Sequence, residues 1–237
     1  MTNNKNLVFE KIVGLGSTCY TKMQINMYSN PENPIYWVTK PGQSDIFDWL
    51  IIKDYSLLAD AFNNDLKDIF EFDDLSIPEN TAFVYNNKYH MNWKHLFDSL
   101  GDYGGEAIYD KKERLTKKLL FKFYPTLRSK IEYLRNKFLD LKNKNTIYLI
   151  STGNMDYHKT GVLFPKIEDL RKLRDSLIKM RGNNNFIILY IPMYKQYESE
   201  DNIFVYEDPL WCLDGGACKN GFEVYNKILE EFKINKY

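Results

Sequence analysis

Two rhythms of apolar and polar residues divide this chain. In its last third, short unbroken apolar runs alternate with stretches in which apolar residues recur every third or fourth position. Thr146-Ile147-Tyr148-Leu149-Ile150, Phe186-Ile187-Ile188-Leu189-Tyr190-Ile191 and Ile203-Phe204-Val205-Tyr206 are the runs, of the kind required by a strand covered on both faces. The stretches at about 166–181 and 221–234 carry helical spacing. The same signature opens the chain: Leu7 to Gly14 reads as a strand, and a helix is expected over about 18–28 with Cys19, Met23 and Met27 on one face. Apolar strands alternating with amphipathic helices predict an α/β fold, a mostly parallel sheet flanked by helices on both faces.

Between about 50 and 141 the rhythm is mainly helical. A helical pattern runs through Leu57, Leu58 and Phe62. Leu115, Leu119, Phe123, Leu127, Ile131, Leu134 and Phe138 repeat along a longer one that Pro125 is expected to kink or divide. The paired asparagines Asn86-Asn87, which tolerate the positive φ of a tight turn, predict a hairpin within 82–93. His95-Leu96-Phe97 reads as the opening of a short helix. Three prolines and a glycine mark 29–44 as a loop. The expectation is a single α/β domain over 1–237 with a largely helical insertion at about 50–141.

Composition narrows the function classes. The 237 residues are 44% hydrophobic and 16% aromatic, as a folded globular chain requires. Lysine plus arginine balances aspartate plus glutamate, so no net field steers the chain to nucleic acid or an anionic membrane. No apolar run is long enough for a membrane span. The polar start carries no secretory signal, and an odd count of three cysteines suggests free thiols and a cytoplasmic setting. Nothing in the sequence calls for a cofactor or a metal ion.

The chemistry concentrates at Gly14-Leu15-Gly16-Ser17-Thr18-Cys19, where the first strand turns toward the first helix. The glycines permit a sharp turn and close approach of a ligand to the main chain, and Ser17 or Thr18 can cap the helix. A thiol at a helix start has its thiolate stabilised, which makes Cys19 a candidate nucleophile; a small buried residue filling a tight corner is the alternative. Gly14-x-Gly16 lacks the third glycine of a dinucleotide fingerprint. Ser151-Thr152-Gly153-Asn154 follows the second strand and would share the ligand-binding edge, with Ser151 and Asn154 as candidate contacts. Either His90 or His95 could serve Cys19 as base. Asp48, set between Phe47 and Trp49, could orient that histidine or cap the helix that starts near Asp54.

Leu15-Gly16-Ser17-Thr18-Cys19, Phe47-Asp48-Trp49, His95-Leu96-Phe97, Lys112-Glu113-Arg114-Leu115 and Trp211, in that order, resemble a bacterial and viral domain-of-unknown-function family described as papain-like cysteine peptidases. The Gly-Ser-Thr-Cys and Phe-Asp-Trp motifs are the most specific part, and the resemblance spans nearly the whole chain. It implies a thiol hydrolase or acyltransferase with Cys19 as nucleophile and His95 as base, acting on a peptide or glycan-linked substrate. Members of the family also look glycan-associated. The competing expectation is therefore a transferase or a phosphate- or sugar-nucleotide-binding protein, in which Gly16, Ser17, Thr18, Ser151 and Asn154 cradle the ligand and Cys19 only packs. A papain-type fold would set the cysteine helix against an antiparallel barrel, whereas the apolar runs predict parallel pairing.

Overall fold

The computed structural model describes residues 4–16, 19–29, 44–48, 50–78, 83–93, 115–151, 164–192, 197–207 and 219–235, with backbone alone at 19, 20 and 219–222. Its central layer is a four-stranded sheet of β2 (Lys11–Gly14), β7 (Thr146–Ser151), β8 (Phe186–Ile191) and β9 (Ile203–Val205), ordered as they occur in the chain. Every pairing in it is parallel. The first strand thus joins the C-terminal strands as the apolar runs predicted, and it does not enter an antiparallel barrel. Residues 8–9 leave that sheet: β1 (Val8–Phe9) pairs in parallel with β10 (Lys233–Ile234).

Alternation of side chains assigns the two faces. Ile12, Ile147, Leu149, Ile187, Leu189 and Ile191 point to one core, covered by α1 (Cys19–Ser29) and α5 (Lys219–Glu230). Val13, Tyr148, Ile150, Phe186, Ile188, Tyr190 and Ile203 point to the other, shared with α2 (Tyr55–Asn63), α3 (Lys117–Leu139) and α4 (Ile167–Arg181). Because helices cover both faces, β7 and β8 are buried along their full length, which is why their sequences show no polar alternation.

The insertion holds strands as well as helices. The hairpin forms, Val84 opposite Trp93, but it belongs to a four-stranded antiparallel sheet: β3 (Leu50–Ile52), β6 (Met91–Trp93), β5 (Val84–Asn86) and β4 (Leu75–Ser76). The described residues of region 50–141 thus carry a small sheet beside their two long helices. Strands of two or three residues are too short to impose a periodicity of two on the sequence. Helix α2 starts where Asp54 accepts hydrogen bonds from Ser56 N (2.9 Å) and Leu57 N (3.3 Å). Pro125 does not divide α3, which runs unbroken from Lys117 to Leu139. The proline lies on the exposed side, and the stripe Leu120, Leu127, Ile131, Leu134 and Phe138 is buried along the opposite one. The insertion shares one hydrophobic core with the parallel sheet, with α2 packed along α4.

Candidate functional site

The turn after β2 is clamped from three sides. Leu15 N donates to Leu149 O across the sheet (2.8 Å), Thr21 Oγ1 of α1 donates back to Gly16 O (2.9 Å), and Tyr55 Oη of α2 donates to Leu15 O (3.2 Å). Gly16 has φ +74°, in the left-handed region. A Cβ there would stand 2.8 Å from Ile52 Cδ1 and 3.0 Å from the Leu50 carbonyl oxygen. The space on the Cβ side of this glycine is thus filled by β3, so its lack of a side chain serves packing. Gly14 serves packing too: its missing Cβ lets Thr21 and Ile25 of α1 lie directly on the strand.

Cys19 is the first residue of α1, at the carboxyl end of the parallel strands. The position is as the sequence suggested; the cysteine's side chain, Ser17, Thr18, His95 and Asn154 lie outside the described residues, as do His158, Trp211, Cys212 and Cys218. Ser151 ends β7 and is buried. Since Gly14 pairs with Leu149, Ser151 lies level with Gly16 on the neighbouring strand. The fold therefore brings these two candidate residues to one edge, 135 positions apart in the chain. The Ser151 hydroxyl accepts from Tyr225 Oη of α5, a contact that no sequence spacing announces. His90 is exposed on the turn of the hairpin, with φ +52° and its ring stacked on Tyr85.

Asp48 does not cap α2, and His95, the histidine it was expected to orient, lies outside the described residues. Asp54 caps α2, and Asp48 turns instead to α1, where its Oδ2 lies 2.8 Å from Lys22 Nζ. The same oxygen accepts from Asp45 N (2.8 Å), which closes the turn at 45–48. Both side chains of the pair are buried, at 4% and 6% exposure. Asp45, also buried, takes Lys11 of β2 at 3.3 Å and Lys137 of α3 at 3.9 Å. Five charged groups from four segments thus meet beside α1. Asp48 Oδ1 has no hydrogen-bond partner among the described residues. Burial, with repulsion from Asp45, pushes the Asp48 carboxyl from 3.8 up to about 6 against the pull of Lys22. Burial lowers the Lys137 ammonium, and the neighbouring Lys11 and Lys22 lower it further against the pull of Asp45.

Lys22 and Asp45 went unnoticed in the sequence. The available signal was a lysine within a helix otherwise buried on several sides: Thr21, Gln24, Ile25 and Asn26 are all covered. A charge at such a position must find a counter-ion. Among the described residues no group of three or more histidine, cysteine, aspartate or glutamate side chains could hold a metal ion, and no helix is long and apolar enough to cross a membrane. No family model matches the chain, and no curated protein or solved structure matches it.

Proposed function

We propose that this chain is a cysteine-dependent hydrolase or acyltransferase of the papain-like kind, with Cys19 as its nucleophile and a peptide or glycan-linked acyl group as substrate. The observation that carries the reading is the clamped turn: β2 ends at Gly14, Gly16 beyond it takes a left-handed φ and is held by Thr21, and Cys19 is the first residue of the helix that follows. Such a strand–turn–helix corner presents a nucleophile at the sheet edge, and the free N–H groups of a helix start favour both the thiolate and an oxyanion.

In this scheme the Cys19 sulfur attacks the carbonyl carbon, and the developing oxyanion is held by N–H groups at the start of α1. The leaving group departs with a proton from a histidine, assigned to His95 by the family resemblance, and an acyl thioester remains. Water or an acceptor hydroxyl or amine then attacks, giving its proton to the same base and restoring the thiol. Asp48 Oδ2 is held by Lys22 and Asp45 N, so an orienting bond from Asp48 to the histidine would come from Oδ1.

The binding reading, with Cys19 as a packing residue, has less support. Gly16 faces Ile52 and Ser151 accepts from Tyr225, so the protein itself fills both described parts of the expected phosphate cradle. Iodoacetamide labelling of the native chain, read by mass spectrometry at each cysteine, tests the choice. Cys19 is expected to alkylate at pH 6 about tenfold or more faster than Cys212 or Cys218. Equal labelling of all three, or a protected Cys19, would return it to a packing role.

A further inference from the structure

The chain is neutral overall, but its charge is unevenly spread. Helix α3 carries seven basic residues and a single acidic one, Glu132. Along its middle the charges are matched, with Arg128 held by Glu71 and Glu132. At its start they are not. Lys117, Lys118 and Lys122 form no ion pair among the described residues; Lys117 and Lys122 lie over the rings of Phe72 and Phe123, at 5.2 and 5.1 Å. Asp73 and Asp74, which follow Phe72, pair with none of them. No acidic residue stands in the first turn of α3, where the helix dipole disfavours cations. Lys118, Phe121, Lys122 and Pro125 have the spacing of one helix face, and all four are exposed. Phe121 is 68% exposed, with its ring against the edge of Phe72 (5.6 Å). A single exposed apolar residue is ordinary. A phenylalanine standing out among three cations without counter-ions, where those cations weaken the helix start, is not.

We propose that this face of α3 is a peripheral docking surface for an anionic phospholipid bilayer, with Phe121 entering the headgroup boundary and Lys117, Lys118 and Lys122 meeting lipid phosphates and carboxylates. Charge complementarity selects an anionic partner. Shape selects among anionic partners, because the Phe121 ring protrudes and must enter whatever it docks on. A bilayer interface accepts an apolar ring at any point. Single-stranded nucleic acid is held in grooves that track its backbone, and an acidic protein would need a pocket matched to the ring. The zero net charge of the chain hides this local surface, which is independent of the nucleophile reading of Cys19.

The test is co-sedimentation of the full chain with vesicles of phosphatidylcholine containing about 30% phosphatidylserine at about 0.1 M salt. The wild type is expected to bind these vesicles, to be released at about 0.5 M salt, and to leave pure phosphatidylcholine vesicles unbound. Lys118→Gln combined with Lys122→Gln should lower the partition about tenfold or more, and Phe121→Ser about fivefold. Both sites are exposed, so thermal unfolding should be nearly unchanged. Tyr133→Ser, on the same helix and 64% exposed but next to the paired Glu132, should leave the partition at the wild-type value. The proposal is overturned if the wild type ignores phosphatidylserine, if the lysine and Phe121 variants bind as the wild type does, or if Tyr133→Ser weakens binding equally. Binding to a labelled oligothymidylate or to polyglutamate, with the vesicles left unbound, would give the face to a nucleic acid or an acidic protein and overturn it as well.

Discussion

The two ends of the parallel strands treat their polar groups differently. At the amino end, entering β7, β8 and β9, nearly every buried polar atom is used. Arg181 closes α4 and donates to Leu141 O, Lys144 O, Asn185 O and Tyr148 Oη, leaving only its Nε without an acceptor. Asn4 Nδ2 donates to Asn184 O and Asn202 Oδ1, and Asn202 Nδ2 also donates to Asn184 O. Around α1, which leaves the carboxyl end, Asp48 Oδ1 and both polar atoms of Gln24 are buried with no partner among the described residues. A saturated edge stabilises the fold. The unsaturated atoms around α1 carry a desolvation cost.

The difference can be broken most forcefully through the two buried cations. Arg181→Ala should cost about 3–5 kcal/mol, because three carbonyls and a buried tyrosine hydroxyl lose their donor, and urea unfolding should show that loss unchanged between pH 5 and 8. Asp48→Ala should cost a similar amount, about 3–5 kcal/mol at pH 8, since the carboxylate is withdrawn from a buried lysine. That cost should be larger still at about pH 4, because the folded wild type takes up a proton at Asp48 as pH falls through about 6.

The pH dependence has a definite sign. Asp48 has its folded pKa raised, from 3.8 to about 6, so the folded chain binds a proton that the unfolded chain releases between those values. Its contribution to stability is complete below about pH 4 and is lost as pH rises through about 6. The difference in unfolding free energy between wild type and Asp48→Asn should therefore shift against the wild type across that window. Glu200 and Glu231, lowered by Arg171 and by Lys5 respectively, act in the opposite direction at lower pH and cancel in the difference.

A sharper and smaller contrast lies in two glycines of like conformation. Gly16 at φ +74° is crowded by Ile52 and the Leu50 carbonyl, whereas Gly182 at φ +72° has no atom within 4 Å of where a Cβ would sit. Gly182→Ala should cost about 1 kcal/mol, the left-handed penalty alone. Gly16→Ala should cost about 2–4 kcal/mol, since overpacking adds to strain. Thermal unfolding of the two variants side by side measures the gap. Smallest of all, Tyr225→Phe should cost about 1 kcal/mol for the loss of its hydrogen bond to Ser151.

Much of the main sheet was legible because its signals are local. Unbroken apolar runs at 146–150 and 186–191 admit only strands covered on both faces, and β7 and β8 are buried from end to end. The helical stripe through Leu127, Ile131, Leu134 and Phe138 is the buried face of α3. The antiparallel sheet of the insertion was legible only at its hairpin, since β3 and β4 are too short to carry a period. Cys19 could be placed at a helix start because a glycine turn between an apolar run and a helical pattern is itself a local motif.

The sequence by itself determined which segments would form the main sheet and the helices on it, that the strands from both ends of the chain would share a parallel sheet, and where a thiol would meet a helix start. These follow from periodicity, turn chemistry and the need to bury both faces of an apolar strand. Only the tertiary structure decided who meets whom. Asp48 found Lys22 and not a helix cap, Gly16 proved to be crowded by Ile52, and Ser151 met Tyr225, 74 residues away. Nothing in the spacing of a carboxylate, a glycine or a serine names its partner. That choice is made when the packing of apolar faces brings distant segments together and each buried polar group must take the nearest complement it is left beside.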